Sequence, residues 1–145
     1  MILGFIGVGK ISSSVIEGIS KSKINYKKIL LSPRNKNLSK ILKNKFKEIE
    51  IAKNNQDVIN KSNWIFLAIT PNVGKKIIKN LKFRSTQTII SFISTITLSE
   101  LKKAIKIKAK IIRAIPLPPI SLKKGPIPIC PPNPKVKAFF NNLGT

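Results

Sequence analysis

The strongest constraint on this chain lies at its start, where an apolar run over residues 1–6 meets Gly7-Val8-Gly9, and Ile11, Val15 and Ile19 then recur four residues apart. A short run without polar side chains reads as a strand covered on both faces, and apolar residues at that spacing mark one side of a helix. Glycines between them let the backbone turn sharply from one to the other. A strand turned directly into an amphipathic helix is the opening of a βαβ unit, which requires a parallel sheet.

The rest of the chain repeats the unit. Further strands are expected over 28–32, 48–52, 64–70, 88–93, 110–115 and 127–130, with the run WIFLAIT at 64–70 as a central strand ended by Pro71. Between them lie helical segments. The inner face of the second is expected to carry Leu38, Ile41, Leu42 and either the stem of Lys45 or Phe46. A later helix carries Ile77, Ile78 and Leu81, and Thr97-Leu98-Ser99-Glu100 fits a reciprocal capping box. Asn133-Pro134 opens a last helix bearing Val136, Phe139, Phe140 and Leu143 before Gly144. The expected fold is α/β, a Rossmann-type doubly wound, mainly parallel sheet with helices on both faces, and the 145 residues form one domain.

Composition narrows the chemistry. There is no histidine, and Cys130 is the single cysteine, so neither a metal cluster nor an internal disulfide is expected. No apolar run approaches the ~20 residues that span a bilayer, and a soluble, cytoplasmic protein without a membrane partner is the expectation. The 28 basic residues against 5 acidic ones would ordinarily point to nucleic acid. All but Arg34, Arg84 and Arg113 are lysine, however, and they are spread along the whole chain. Phosphate and base-edge recognition favours the arginine fork. Lysine, isoleucine and asparagine share A/T-rich codons, so a codon bias accounts for the charge and no specific nucleic-acid partner is expected. A basic nucleic-acid-binding protein and an inactive gene remnant stay as the competing readings.

The turn after the first strand carries a specific chemistry. Gly7, Val8, Gly9, Lys10, Ile11 and Ser12 follow a strand and open a helix, the context in which a G-x-G-x-x-G/A turn holds a dinucleotide pyrophosphate on backbone N–H groups and the positive helix end. Gly7 permits the turn, Gly9 lets the backbone approach the phosphates, and small Ser12 lets helix and sheet pack closely. A fold that selects NAD places an acid about twenty residues further on. Here that count reaches Ser32, followed by Pro33-Arg34-Asn35. An uncharged side chain and a guanidinium favour a 2′-phosphate, and so NADP (NADPH) as cofactor.

Taken in order, GFIGVGKI, LSPRN, Asn54-Asn55-Gln56-Asp57, LAITP, IISFIST and RAIPLPP followed by Gly125 resemble the pyrroline-5-carboxylate reductases, which reduce a cyclic imine to proline with NAD(P)H. The resemblance implies that residues 7–12 bind the pyrophosphate, Ser32 and Arg34 the adenosine phosphate, and Asn55 the adenosine region. It places Ala68, Ile69, Thr70 and Pro71 at the nicotinamide-side ribose. Asn55 has a second reading as the cap of the following helix. The resemblance departs at Pro116-Leu117-Pro118-Pro119, where the family has Pro-Asn-Thr-Pro. Loss of an amide and a hydroxyl leaves open whether the small substrate is this imine or another imine or keto compound.

The family's helical C-terminal dimerisation and substrate domain has no counterpart here, so a truncated form is expected, with self-association through the surface that domain would cover. Glu17, Asp57 and Glu100 fall on expected helices and Glu48 and Glu50 at a strand edge, so no catalytic acid is assigned.

Overall fold

The computed structural model describes residues 1–115 and 127–143. Pro116-Leu117-Pro118-Pro119, Gly125 and Gly144 lie outside the described residues. The strands are β1 (Ile2–Ile6), β2 (Lys28–Leu31), β3 (Ile49–Ile51), β4 (Trp64–Leu67), β5 (Thr88–Ser91), β6 (Lys110–Ala114) and β7 (Ile129–Cys130). The helices are α1 (Lys10–Ser20), α2 (Lys36–Lys45), α3 (Asn55–Lys61), α4 (Pro71–Lys79), α5 (Leu98–Ile105) and α6 (Pro134–Asn141). They build one sheet in the order β3-β2-β1-β4-β5-β6-β7. Every neighbouring pair is parallel except β6 and β7, which are antiparallel.

Alternation along the strands splits the core in two. Leu3, Phe5, Phe66, Ile90 and Ile112 face α1, α2 and α6 on one side. Ile6, Ile65, Leu67, Ile89 and Ile111 face α3, α4 and α5 on the other. Burying each such side chain contributes ~1.5–3 kcal/mol against the entropy of ordering the chain. On the first side an aromatic stack anchors α6: Phe5 lies 4.5 Å from Phe66, and Phe139 lies 5.0 Å from Trp64 and 5.7 Å from Phe66. The sheet is thus doubly wound, with helices on both faces, as the sequence implies.

Three local expectations are corrected. Ile41 is 59% exposed, because the inward face of α2 passes through Ser39 and Leu42. β4 ends at Leu67 rather than at residue 70. The last sheet bond there runs from the Ala68 N–H to the Ile6 carbonyl at 2.8 Å, and the chain then leaves the sheet towards α4, with Pro71 as its first residue. Finally, α3 is capped by Asn54, whose side chain accepts from the Asp57 N–H at 2.8 Å, and Asn55 is already the first helical residue.

The strand order places the connection after β1 on one side of the sheet and that after β4 on the other. A crevice therefore opens beyond the C-terminal ends of β1 and β4, the switch point at which open α/β sheets bind ligands.

Candidate functional site

The turn at the head of the crevice is held from three directions. Gly7 adopts φ +93°, and a Cβ there would lie 2.6 Å from the Ala68 carbonyl oxygen, so glycine is required by conformation and by space. Its N–H donates to the Ser32 Oγ at 3.0 Å, and its carbonyl accepts from the Ser12 Oγ at 2.8 Å. The Val8 carbonyl accepts from the Asn35 Nδ2 at 3.0 Å. The Gly9 carbonyl takes the first helical bond, from the Ser13 N–H at 2.9 Å.

Every carbonyl of the turn is thus engaged, and five successive donors are not. Among the described residues the backbone N–H groups of Val8, Gly9, Lys10, Ile11 and Ser12 have no hydrogen-bond partner. Gly9, at the N-cap of α1, makes no side-chain cap, and no acid lies in the first turn. Helices α2, α3, α5 and α6 are all capped by a side chain, from Asn35, Asn54, Thr97 and Asn133. Among the helices of the described residues only α1 and α4 have no side-chain cap, and both begin at the crevice. Uncapped donors and the helix dipole make an anion site. A Cβ on Gly9 would meet nothing within 4 Å, so no atom of the described residues explains the glycine; among them the space a side chain would fill lies open.

Two cavities extend the crevice. One of about 590 Å³ is lined by residues 7–9, 34–37 and 68–70. The other, of about 210 Å³, shares residues 68–70 and adds Ile11, Pro71, Phe92, Ile93 and Ser94. They adjoin across the end of β4, giving a groove with a polar, cationic half at Arg34 and Lys36 and an apolar half at Ile11, Ile69, Phe92 and Ile93. None of the five carboxylates lines either half. Arg34 is exposed and has no hydrogen bond or ion pair among the described residues.

Comparison with known proteins agrees with the fold. Residues 2–95 match the family described as NADP oxidoreductase, coenzyme F420-dependent. The chain belongs to that family. It is 30% identical over 127 residues to pyrroline-5-carboxylate reductase 3 of Danio rerio, covering 85% of this chain and 43% of that protein. The fold matches a 1-pyrroline-5-carboxylate reductase of Streptococcus pyogenes at TM-score 0.80 and 22% identity, over 100% of this chain and 56% of that one. It also matches a Plasmodium falciparum pyrroline carboxylate reductase solved with NADP bound, at TM-score 0.82 and 22% identity, over 99% of this chain and 55% of that one. The resemblance read from the sequence motifs therefore holds, and the chain spans about half the length of the relatives it matches.

Within this family member the expected site residues divide. Gly7, Val8, Gly9, Arg34, Ala68, Ile69 and Thr70 line the larger cavity, and Ile11 and Pro71 line the smaller. Lys10 is exposed at the first position of α1. Ser12 and Ser32 are each 1% exposed and lie behind the groove wall, where their hydroxyls brace the turn. Asn55 lies at the start of α3 and lines neither cavity. Asn35, Lys36, Asn37, Phe92, Ile93 and Ser94 line the groove without having been singled out by sequence reasoning. Asn35 carried a usable signal, an asparagine three residues before Leu38 at the start of a helical pattern.

Among the described residues no group of three or more His, Cys, Asp or Glu side chains could hold a metal ion. No helix there is long and apolar enough to cross a membrane.

Proposed function

We propose that this chain binds NADP(H) in the groove and forms the cofactor half of a reductase acting on a small imine or keto substrate, with pyrroline-5-carboxylate as the first compound to test. The observation that carries the reading is the turn: five consecutive unpartnered N–H groups at an uncapped helix start, beside a glycine whose side-chain space is open. A pyrophosphate fits the first feature by charge and the second by volume.

The choice of NADP over NAD rests on the end of β2. The one side chain there that could reach a ribose hydroxyl as an acid is absent, since Ser32 is uncharged and its hydroxyl already accepts from Gly7. The Arg34 guanidinium is free to pair with a 2′-phosphate. The apolar half of the groove, between Ile11 and Phe92, suits an uncharged aromatic ring and excludes water from one side of it. Bound there, the nicotinamide supplies the hydride. The residues of this chain hold and orient it, and contribute no acid to the groove.

The groups that hold the substrate come, in this reading, from chain beyond the described residues or from a second copy. The experiment is calorimetric titration of the purified protein with NADPH and NADH. Tighter binding of NADPH supports the reading. Equal affinities remove the preference for NADP, and no binding of either removes the cofactor role.

A further inference from the structure

Asn35 occupies a place that neither capping nor charge fully explains. Its Oδ1 accepts from the Leu38 N–H at 3.3 Å, capping α2, while its Nδ2 reaches across to the Val8 carbonyl at 3.0 Å. Only one orientation of the amide satisfies both bonds, because the oxygen can only accept and the nitrogen can only donate. One exposed side chain therefore ties the start of α2 to the turn before α1, 27 residues away in sequence.

The second bond has a consequence for the neighbouring donor. Among the described residues the single cis peptide is Cys130-Pro131, so the Val8–Gly9 peptide is trans, with its carbonyl and its N–H pointing in opposite directions. Fixing the Val8 carbonyl on Asn35 fixes the Gly9 N–H on the far side of the same plane, where it has no protein partner. That bond is the one the Val8 carbonyl makes among the described residues, and Gly9 on the other side of the peptide has no side chain to limit its rotation. The residue before Asn35 is Arg34, so the side chain that sets the turn is also joined to the one that faces the cationic half of the groove.

We propose that Asn35 is a positioning residue for the dinucleotide: it orients the Gly9 N–H towards the pyrophosphate and locks that donor in register with Arg34. This rests on the cofactor reading above and adds to it a residue that does not itself supply the decisive charge.

Asn35→Ser separates the two bonds, because serine still caps a helix but is too short to reach Val8. Wild type and variant are titrated with NADPH and with adenosine 2′-monophosphate, which carries the Arg34-facing phosphate but no pyrophosphate. Thermal midpoints are measured alongside. The expected result is a roughly five- to tenfold loss of NADPH affinity, with adenosine 2′-monophosphate affinity and midpoint unchanged. Asn35→Asp, which sets a carboxylate against the Val8 carbonyl and the ligand phosphates, should lose more of the NADPH affinity.

Unchanged NADPH affinity in Asn35→Ser, with a wild type that binds it, overturns the role of Asn35 and leaves the cofactor reading standing. Equal losses for both ligands with a lowered midpoint reduce Asn35 to a helix cap and overturn the proposal likewise. A wild type that binds neither compound overturns the cofactor reading and this role together.

Discussion

The buried hydroxyl of Ser32, at the end of β2, accepts a 3.0 Å hydrogen bond from the N–H of Gly7, at the end of β1. Ser32 also donates its own N–H to the Phe5 carbonyl and accepts at its carbonyl from the Ser39 Oγ. It is thus a junction between two strands and a helix. Ser32→Ala should leave the Gly7 donor unpaired and lower stability by about 1–2 kcal/mol, read as a shifted urea midpoint. An unshifted midpoint would contradict this bracing role.

Arg34→Ala should behave in the opposite way. The side chain is exposed and makes no protein contact by hydrogen bond or ion pair among the described residues, so the urea midpoint should not move. NADPH binding should weaken by about 1.5–3 kcal/mol, the usual worth of a charged hydrogen bond, and NADH binding far less. Calorimetry on both cofactors distinguishes loss of a phosphate partner from general damage, which would weaken both alike.

The two turn glycines should fail differently. Gly9→Val fills open space at an extended backbone, so circular dichroism should stay native while dinucleotide binding is lost. Gly7→Ala combines φ +93° with a clash against the backbone of Ala68, so it should destabilise the fold itself. A Gly9→Val protein that still binds NADPH would move the site elsewhere.

How much of this was legible in the sequence depended on how far apart the interacting residues lie. The alternation of strands and helices, the α5 capping box at Thr97 and Glu100, and the Asn133 cap of α6 are local patterns and could be read directly. Ile41 could not be placed, because Leu38, Ile41 and Leu42 all fit an apolar face and only packing showed that Ser39 turns inward. In Asn54-Asn55 either residue can cap. The register was decided by Asp57, whose carboxylate accepts from the Lys53 N–H while its own N–H donates to Asn54. At the groove, the glycine turn was plain in the sequence. The bracing by Ser32 and Asn35 was not, since it joins residues 25 and 27 positions apart that only the sheet order brings together.

The last prediction concerns acid stability and follows from Glu100. Its carboxylate is bonded first to the Lys75 side chain and then to the N–H and hydroxyl of Thr97, and these hold its pKa down at about 2, from 4.5. A carboxyl group whose folded pKa is depressed adds stability above its unfolded pKa, and that stability fades as pH falls through the folded one. The contribution of Glu100 should therefore be complete above about pH 5 and disappear between there and about pH 2. Asp57 is lowered in the same direction, by the Lys53 N–H and then by Lys61, so it will add to the same acid limb. Glu100→Gln keeps an acceptor for Thr97 but cannot titrate or pair with Lys75. Thermal midpoints measured from pH 6 to pH 2 should show the variant below wild type near neutrality and converging with it at the acid end. Parallel curves would mean that the Lys75–Glu100 pair, which joins α4 to α5, does not contribute to the pH dependence of folding.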